Sequence, residues 1–279
     1  MPAPHPRRAV LGGGLALGVL ALTGCGIRLE DDAPEVPLVP RREPIPAESA
    51  LLTVLTALAT GDQEHDAVRA DALQEALASA DVPAEDLDAA RTAVPVARGE
   101  QVIAYEAAVG GCPASMLTLM GSLMAGRMLD GDIPVSSWSA PADGSFGATA
   151  VAAEALAATE AADYAMTLVE ARGGEALGER TRSTRRVLAD LVLVQAEAAD
   201  DDGTSTALGY DVDPVDGRAE ATRLAQQTLT RLGDRYVRLL PRLSAERESA
   251  SAVVGWVATV QRRARTWGVD DQVLPGMQV

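Results

Sequence analysis

The sequence predicts an all-α protein: an up-and-down four-helix bundle preceded by a further helical region. Three observations lead there. The 279 residues are 47% hydrophobic but only 3% aromatic, so the apolar mass is Ala, Leu and Val, which suits packed helices better than strands. Four segments of the C-terminal half carry small or apolar residues at alternating spacings of three and four, the period of helices packing at a shallow angle. Between them stand helix breakers: Gly173-Gly174, residues 200–214, and residues 241–244 beginning at Pro241.

Taken in chain order, residues 1–24 read as an export signal. Arg7 and Arg8 form a short positive region, and residues 10–22 are an uncharged apolar run of 13 residues, shorter than the roughly 20 that a membrane-spanning helix needs. The run ends in Leu22-Thr23-Gly24-Cys25, which resembles a bacterial lipobox. In that motif the Cys is acylated, palmitate being an expected chain, and becomes the mature N-terminus. Arg7-Arg8-Ala9-Val10-Leu11 also resembles a twin-arginine export motif, although the preferred Ser/Thr and Phe positions are absent, so general secretion stays open beside it. The expected address is the extracytoplasmic face of the cell membrane, held by lipid at Cys25.

Removing residues 1–24 leaves 40 acidic residues against 22 Arg, a net charge of −18. Such a surface repels nucleic acid and anionic headgroups, so no nucleic-acid partner is expected and the membrane link is the lipid alone. Residues 25–46 follow as a tether. Pro37, Pro40, Pro44 and Pro46 disfavour helix there and favour an extended chain of ~3.1 Å per residue.

The N-terminal helical region covers residues 47–135. Leu51, Val54, Leu55 and Leu58 mark one helix over 47–60, and Val68, Ala72 and Leu77 a second over 64–80, with Asp62 as its expected N-cap. Residues 84–109 read as helical with a break at Pro95, and residues 114–130 as a strongly apolar helix. Gly, Pro and Ser mark 130–147 as a loop. This half is expected to pack on the bundle rather than stand alone.

The bundle covers residues 145–277. Its first stripe is Ala148, Val151, Ala155, Ala158, Ala162, Ala165 and Val169. The second is Leu177, Thr184, Val187, Leu191, Val194 and Ala198, interrupted by Arg180. Ala225, Leu229, Leu232, Tyr236 and Leu239 form the third, and Ala250, Val253, Val257, Val260, Ala264 and Trp267 the fourth. Short first and third connections imply antiparallel neighbours, and the long middle one can cross the bundle.

The run Tyr210-Asp-Val-Asp-Pro214-Val, the patch Arg182-Ser-Thr-Arg185-Arg186-Val-Leu188, and the ending from Arg265-Thr-Trp267-Gly268 to Leu274-Pro275-Gly276-Met277 carry a resemblance. They resemble a ferritin-like domain of unknown function found in lipoproteins of high-GC Gram-positive bacteria, over about residues 145–277. The resemblance implies a ferritin-like bundle, a fold that often holds a di-iron centre built from Glu and Glu-x-x-His. This bundle has no His between residues 145 and 279, so a metal-free version without a cofactor is expected. Should carboxylates nevertheless hold iron or manganese, Glu154 and Glu160 are the candidates.

A second candidate for soft metal is the series Met116, Met120, Met124 and Met128, with Cys112 before it, because sulfur suits Cu(I). Met116 and Met120 lead that reading. Steps of four drift about 40° each around a helix, which describes a packing ridge better than one pole of ligands, so core packing is expected. His65, the one His after the signal, is expected on the surface, and Cys112 as a buried thiol.

Other chemistry is excluded by composition. All 24 basic residues are Arg, so no Lys nucleophile and no P-loop exist. There is no Gly-x-Ser-x-Gly elbow, and no catalytic residue is assigned. The expectation is a binding or scaffold lipoprotein of the cell envelope, its protein partner or small ligand unnamed. The alternative is a metal-binding oxidoreductase or storage bundle.

Overall fold

The computed structural model describes residues 42–133, 146–200, 210 and 215–277. Arg7, Arg8, Leu22, Thr23, Gly24 and Cys25, with most of the tether and of the loops around 140 and 207, lie outside the described residues. Among the described residues the protein is all-α, with nine α-helices and no strand. All of them belong to one compact unit, Pro44–Val279. No helix among the described residues is long and apolar enough to cross a membrane.

The N-terminal helices are α1 (Glu48–Ala59), α2 (Asp66–Ser79), α3 (Ala84–Thr92), α4 (Arg98–Gly111) and α5 (Ala114–Leu129). The break around Pro95 separates α3 from α4, since Pro has no N–H and restricts the residue before it to extended conformations. Leu51, Val54, Leu55 and Leu58 are all buried, and α1 packs on α2, α3 and α4. Two expectations fail in α2. Asp62 does not cap it: His65 holds the N-cap position with no side-chain cap, while the Asp66 carboxylate accepts a hydrogen bond from the Gln63 N–H at 3.1 Å. Val68 is 54% exposed, because Arg69, Ala70, Leu73 and Leu77 take the inner face instead.

The C-terminal helices are α6 (Thr149–Gly173), α7 (Glu175–Ala199), α8 (Arg218–Leu239) and α9 (Arg247–Arg265), with a 3-10 turn over Leu240–Leu243 before α9. Gly174 alone connects α6 to α7, at φ +67°, a left-handed conformation that glycine adopts without steric cost. Every member of the third and fourth stripes is buried. In the second stripe Leu177, Thr184 and Leu191 are buried as expected, but Leu188 and Gln195 take the inner positions in place of Val187 and Val194. With Thr181, these residues form an unbroken alternation of fours and threes that includes three polar residues, and Gly178 is buried beside them. Arg180 does not interrupt it; its guanidinium sits over the Trp267 ring, 5.3 Å from the centroid.

The four helices do not close upon themselves. Helix α6 packs on both α7 and α8, and α8 packs on α9, but the opposite side of α9 meets α5 and α4. Residues 252–258 of α9 are consequently buried all round. Gly121 sets how near α5 comes: a Cβ there would lie 2.3 Å from a Leu240 methyl and 3.1 Å from Val254. Trp256 fills the centre, stacked on Phe146 at 5.6 Å and edge-on to Tyr236 at 5.9 Å.

After α9 the chain crosses back over both halves. Trp267 is buried and donates its indole N–H to Thr184 Oγ1 at 2.9 Å. Farther on, the Val273 carbonyl accepts from Arg69 Nε at 2.9 Å and the Pro275 carbonyl from Ser122 at 2.8 Å. Gly276, at φ +76°, lies so close to α8 that a Cβ would be 2.3 Å from Val237. Arg262 and Arg265 donate to the Met128 and Leu129 carbonyls at the C-terminus of α5, where cations complement unpaired carbonyls and the helix dipole.

Candidate functional site

The alanines of α6 are too short to fill the space beside α8, and this leaves a groove of about 550 Å³ between the two helices. Its floor is Ala157, Ala158, Ala161, Ala162 and Ala165, its far wall carries Gln227, Thr228, Arg231 and Arg235, and Tyr210 borders it. The Tyr210 ring leans on Tyr164 at 5.6 Å, and its hydroxyl donates to Glu160 at 3.4 Å. Burial and then the Glu160 carboxylate push the Tyr210 phenol above its usual range.

Glu154, at one end of the groove, pairs with Arg235 and with Arg242. Those two guanidinium groups occupy the oxygens that a metal would need. Glu160 faces Tyr210, and among the described residues no group of three or more His, Cys, Asp and Glu could hold a metal ion. Met116, Met120, Met124 and Met128 are all buried in the main hydrophobic cluster, where flexible thioethers serve as packing. Cys112 caps the end of α4, buried, and desolvation pushes its thiol up to about 11. His65 is half-buried rather than exposed.

The α6 face that meets α7 and α8 carries a closed polar ring. Gln195 Nε2 donates to the Tyr236 hydroxyl at 2.9 Å, Tyr236 lies 2.5 Å from Thr159 Oγ1, and Thr159 donates to Gln195 Oε1 at 2.5 Å. All three residues are 0% exposed. With Tyr236 donating to Thr159, each group gives one hydrogen bond and receives one, so the ring satisfies itself inside an apolar core. Burial raises the Tyr236 phenol to about 12 against the smaller opposing effect of its two partners. Ferritin-like chemistry would need carboxylates and imidazoles converging at a bundle centre; this centre has a hydroxyl, an amide and a phenol.

A second buried polar cluster ties the N-terminal helices together. Arg127 Nη1 reaches both oxygens of Asp66 at 2.9 and 3.0 Å, and Nη2 donates to Gln101 at 3.0 Å. Arg69 pairs with Asp130 at 2.5 Å. The Tyr105 hydroxyl beside them is buried without a hydrogen-bond partner, and desolvation pushes its pKa well above the usual phenol range.

The resemblance-bearing patch around Arg185 is also structural. Arg185 holds Asp163 through Nε and Nη2 at 3.0 and 3.1 Å and Glu170 through Nη1 at 3.1 Å, fastening α7 to α6. Ser183 accepts from Arg263, and Thr184 from Trp267.

Thr159, Gln195 and Arg231 escape sequence reasoning. Gln195 carried a usable signal, since it continues the four-and-three spacing from Leu177. No protein-family model, curated protein or solved structure matches this chain.

Proposed function

We propose that this chain is a membrane-anchored, extracytoplasmic lipoprotein whose helical unit is a binding module of the cell envelope. Export proceeds through the signal in residues 1–24, the twin-arginine pair Arg7-Arg8 directing it, and acylation of Cys25 after Leu22-Thr23-Gly24 provides the anchor. A lipobox Cys carries at least two chains, enough for a stable hold where one chain is marginal. The Pro-rich residues 25–46 then space the helical unit from the bilayer.

The observation that carries the binding role is the groove of about 550 Å³ between α6 and α8. It falls in the range of roughly 300–1,000 Å³ typical of small-molecule sites and combines an apolar floor with a few polar groups on one wall. No nucleophile with an activating base accompanies it among the described lining residues. The ferritin-like kinship of residues 145–277 belongs to the same proposal, supported by the antiparallel pairs α6–α7 and α8–α9.

Expressing the full chain and its Cys25→Ala variant in a bacterium with both export routes tests the anchor. The parent is expected in the membrane fraction with an acylated N-terminal Cys25 peptide by mass spectrometry, and the variant in the soluble fraction. An unmodified Cys25 in exported protein would refute the reading.

A further inference from the structure

We infer that the α6–α8 groove binds a single-chain anionic amphiphile, its apolar chain lying on the alanine floor and its anionic group pairing with Arg231. The inference deepens the binding role proposed above and rests on it.

The shape comes first. The floor runs along α6 from Glu154 to Ala165, about 17 Å at 1.5 Å per residue. Between those ends the α6 side of the groove is alanine, with Glu160 and Tyr164 turned to Tyr210 at its border. Leu224 and Leu232 extend the apolar lining on the α8 side. A row of alanines flanked by Leu224 and Leu232 suits an unbranched chain better than a compact or branched ligand.

Charge gives the other half. The cations near Glu154 are occupied, because Arg235 and Arg242 share its carboxylate. That contact shows what the wall of α8 accepts: a carboxylate held by guanidinium groups. Arg231 stands one turn before Arg235 on α8, exposed at the groove rim, and makes no ion pair or hydrogen bond among the described residues. On its other side Arg231 borders a recess that Asp270 also lines. Gln227 and Thr228 add side-chain donors beside Arg231. On a chain of net charge −16, an available guanidinium at the edge of an apolar bed selects for one anion at the end or along the side of a chain. A free fatty carboxylate and a single-chain phospholipid share this chemistry.

The experiment uses the full 279-residue chain carrying Cys25→Ala, so that no lipid of its own competes. Palmitate, lysophosphatidylglycerol and neutral hexadecanol are titrated by calorimetry below their critical micelle concentrations. One equivalent of a saturable anion is expected, with hexadecanol at least tenfold weaker. Arg231→Gln is expected to weaken the anion about tenfold and leave hexadecanol unchanged. Ala161→Leu, which fills the floor, is expected to abolish all binding with an unchanged urea midpoint. Preference between palmitate and the lysophospholipid identifies the source of the chain.

Failure of both anions to saturate, or binding indifferent to both substitutions, overturns the inference. The anchored role would still stand, because membrane retention through Cys25 is read separately. An unacylated Cys25 would overturn that role without altering the titration.

Discussion

Thr159→Val removes the hub of the buried ring at nearly constant volume, and its effect follows from where the hydrogen bonds go. Thr159 Oγ1 accepts from Tyr236 and donates to Gln195 Oε1, each at 2.5 Å. Without it a buried phenol O–H and a buried amide oxygen both lose a partner. Each orphaned buried group costs about 1–3 kcal/mol, so the expected loss is roughly 2–6 kcal/mol. Tyr236→Phe orphans only Gln195 Nε2, since Thr159 keeps its acceptors on Gln195 and on the Ala155 carbonyl; about 1–3 kcal/mol is expected. Gln195→Met leaves Tyr236 donating to Thr159 and Thr159 donating to Ala155 O at 2.8 Å, so the loss stays below about 1.5 kcal/mol.

The assay is urea unfolding of the three variants in the full chain, followed by far-UV circular dichroism with midpoint and slope both fitted. The ranking decides: Thr159→Val worst, Gln195→Met mildest. Equal losses, or Gln195→Met as the worst, would refute the ring as drawn. Alkali gives a second reading. Tyr236 is raised to about 12 from an ordinary 10.0, so the unfolded chain releases this proton first and stability falls as pH rises between those values. Tyr236→Phe should remove that share of the decline and leave the part due to Tyr105, which is shifted in the same direction.

Asp66→Asn is expected to cost about 1.5–3 kcal/mol, because the buried Arg127 loses its charged hydrogen bonds to Asp66 while keeping Asp132 at 3.3 Å; the same unfolding assay reads it. Gly276→Ala, at φ +76° and against Val237, should destabilise clearly more than Gly131→Ala, which shares a positive φ but has nothing within 4 Å; a thermal melt compares them. Cys112 should resist a thiol-reactive dye at neutral pH until urea exposes it, its thiol being buried and held at about 11. Elemental analysis of protein purified without chelators is expected to give no stoichiometric iron, manganese or copper, with Glu154 held by two Arg and Met116 and Met120 in the core.

The parts of the fold legible in the sequence are those whose inward stripe is apolar. The stripes of α8 and α9 read correctly because Leu, Val, Ala, Tyr236 and Trp267 hold their inward period, although Asp234, Ser249 and Gln261 are buried beside them. Helix α7 misread by one residue because hydrophobicity points to Val187 and Val194, whereas the buried positions beside them are Leu188 and Gln195. A polar side chain is welcome inside when a partner waits for it, and Tyr236 lies 41 residues farther along the chain. The same limit hides the Asp66–Arg127 pair, 61 residues apart. The groove is illegible for another reason. Alanines at helical spacing look alike whether a neighbouring helix fills the space above them or leaves it open.

The crossing segment after α9 bears on how the molecule is made. Arg69 and the Val273 carbonyl are 204 residues apart, so a ribosome has completed α2 long before its partner exists. Until residues 267–276 emerge, Arg69 lacks that acceptor, Ser122 lacks the Pro275 carbonyl, and Thr184 lacks the Trp267 indole. Closure of the structure is therefore a late event with a large loop to close. A chain that stops before residue 267 leaves α2, α5 and α7 each missing one of these contacts.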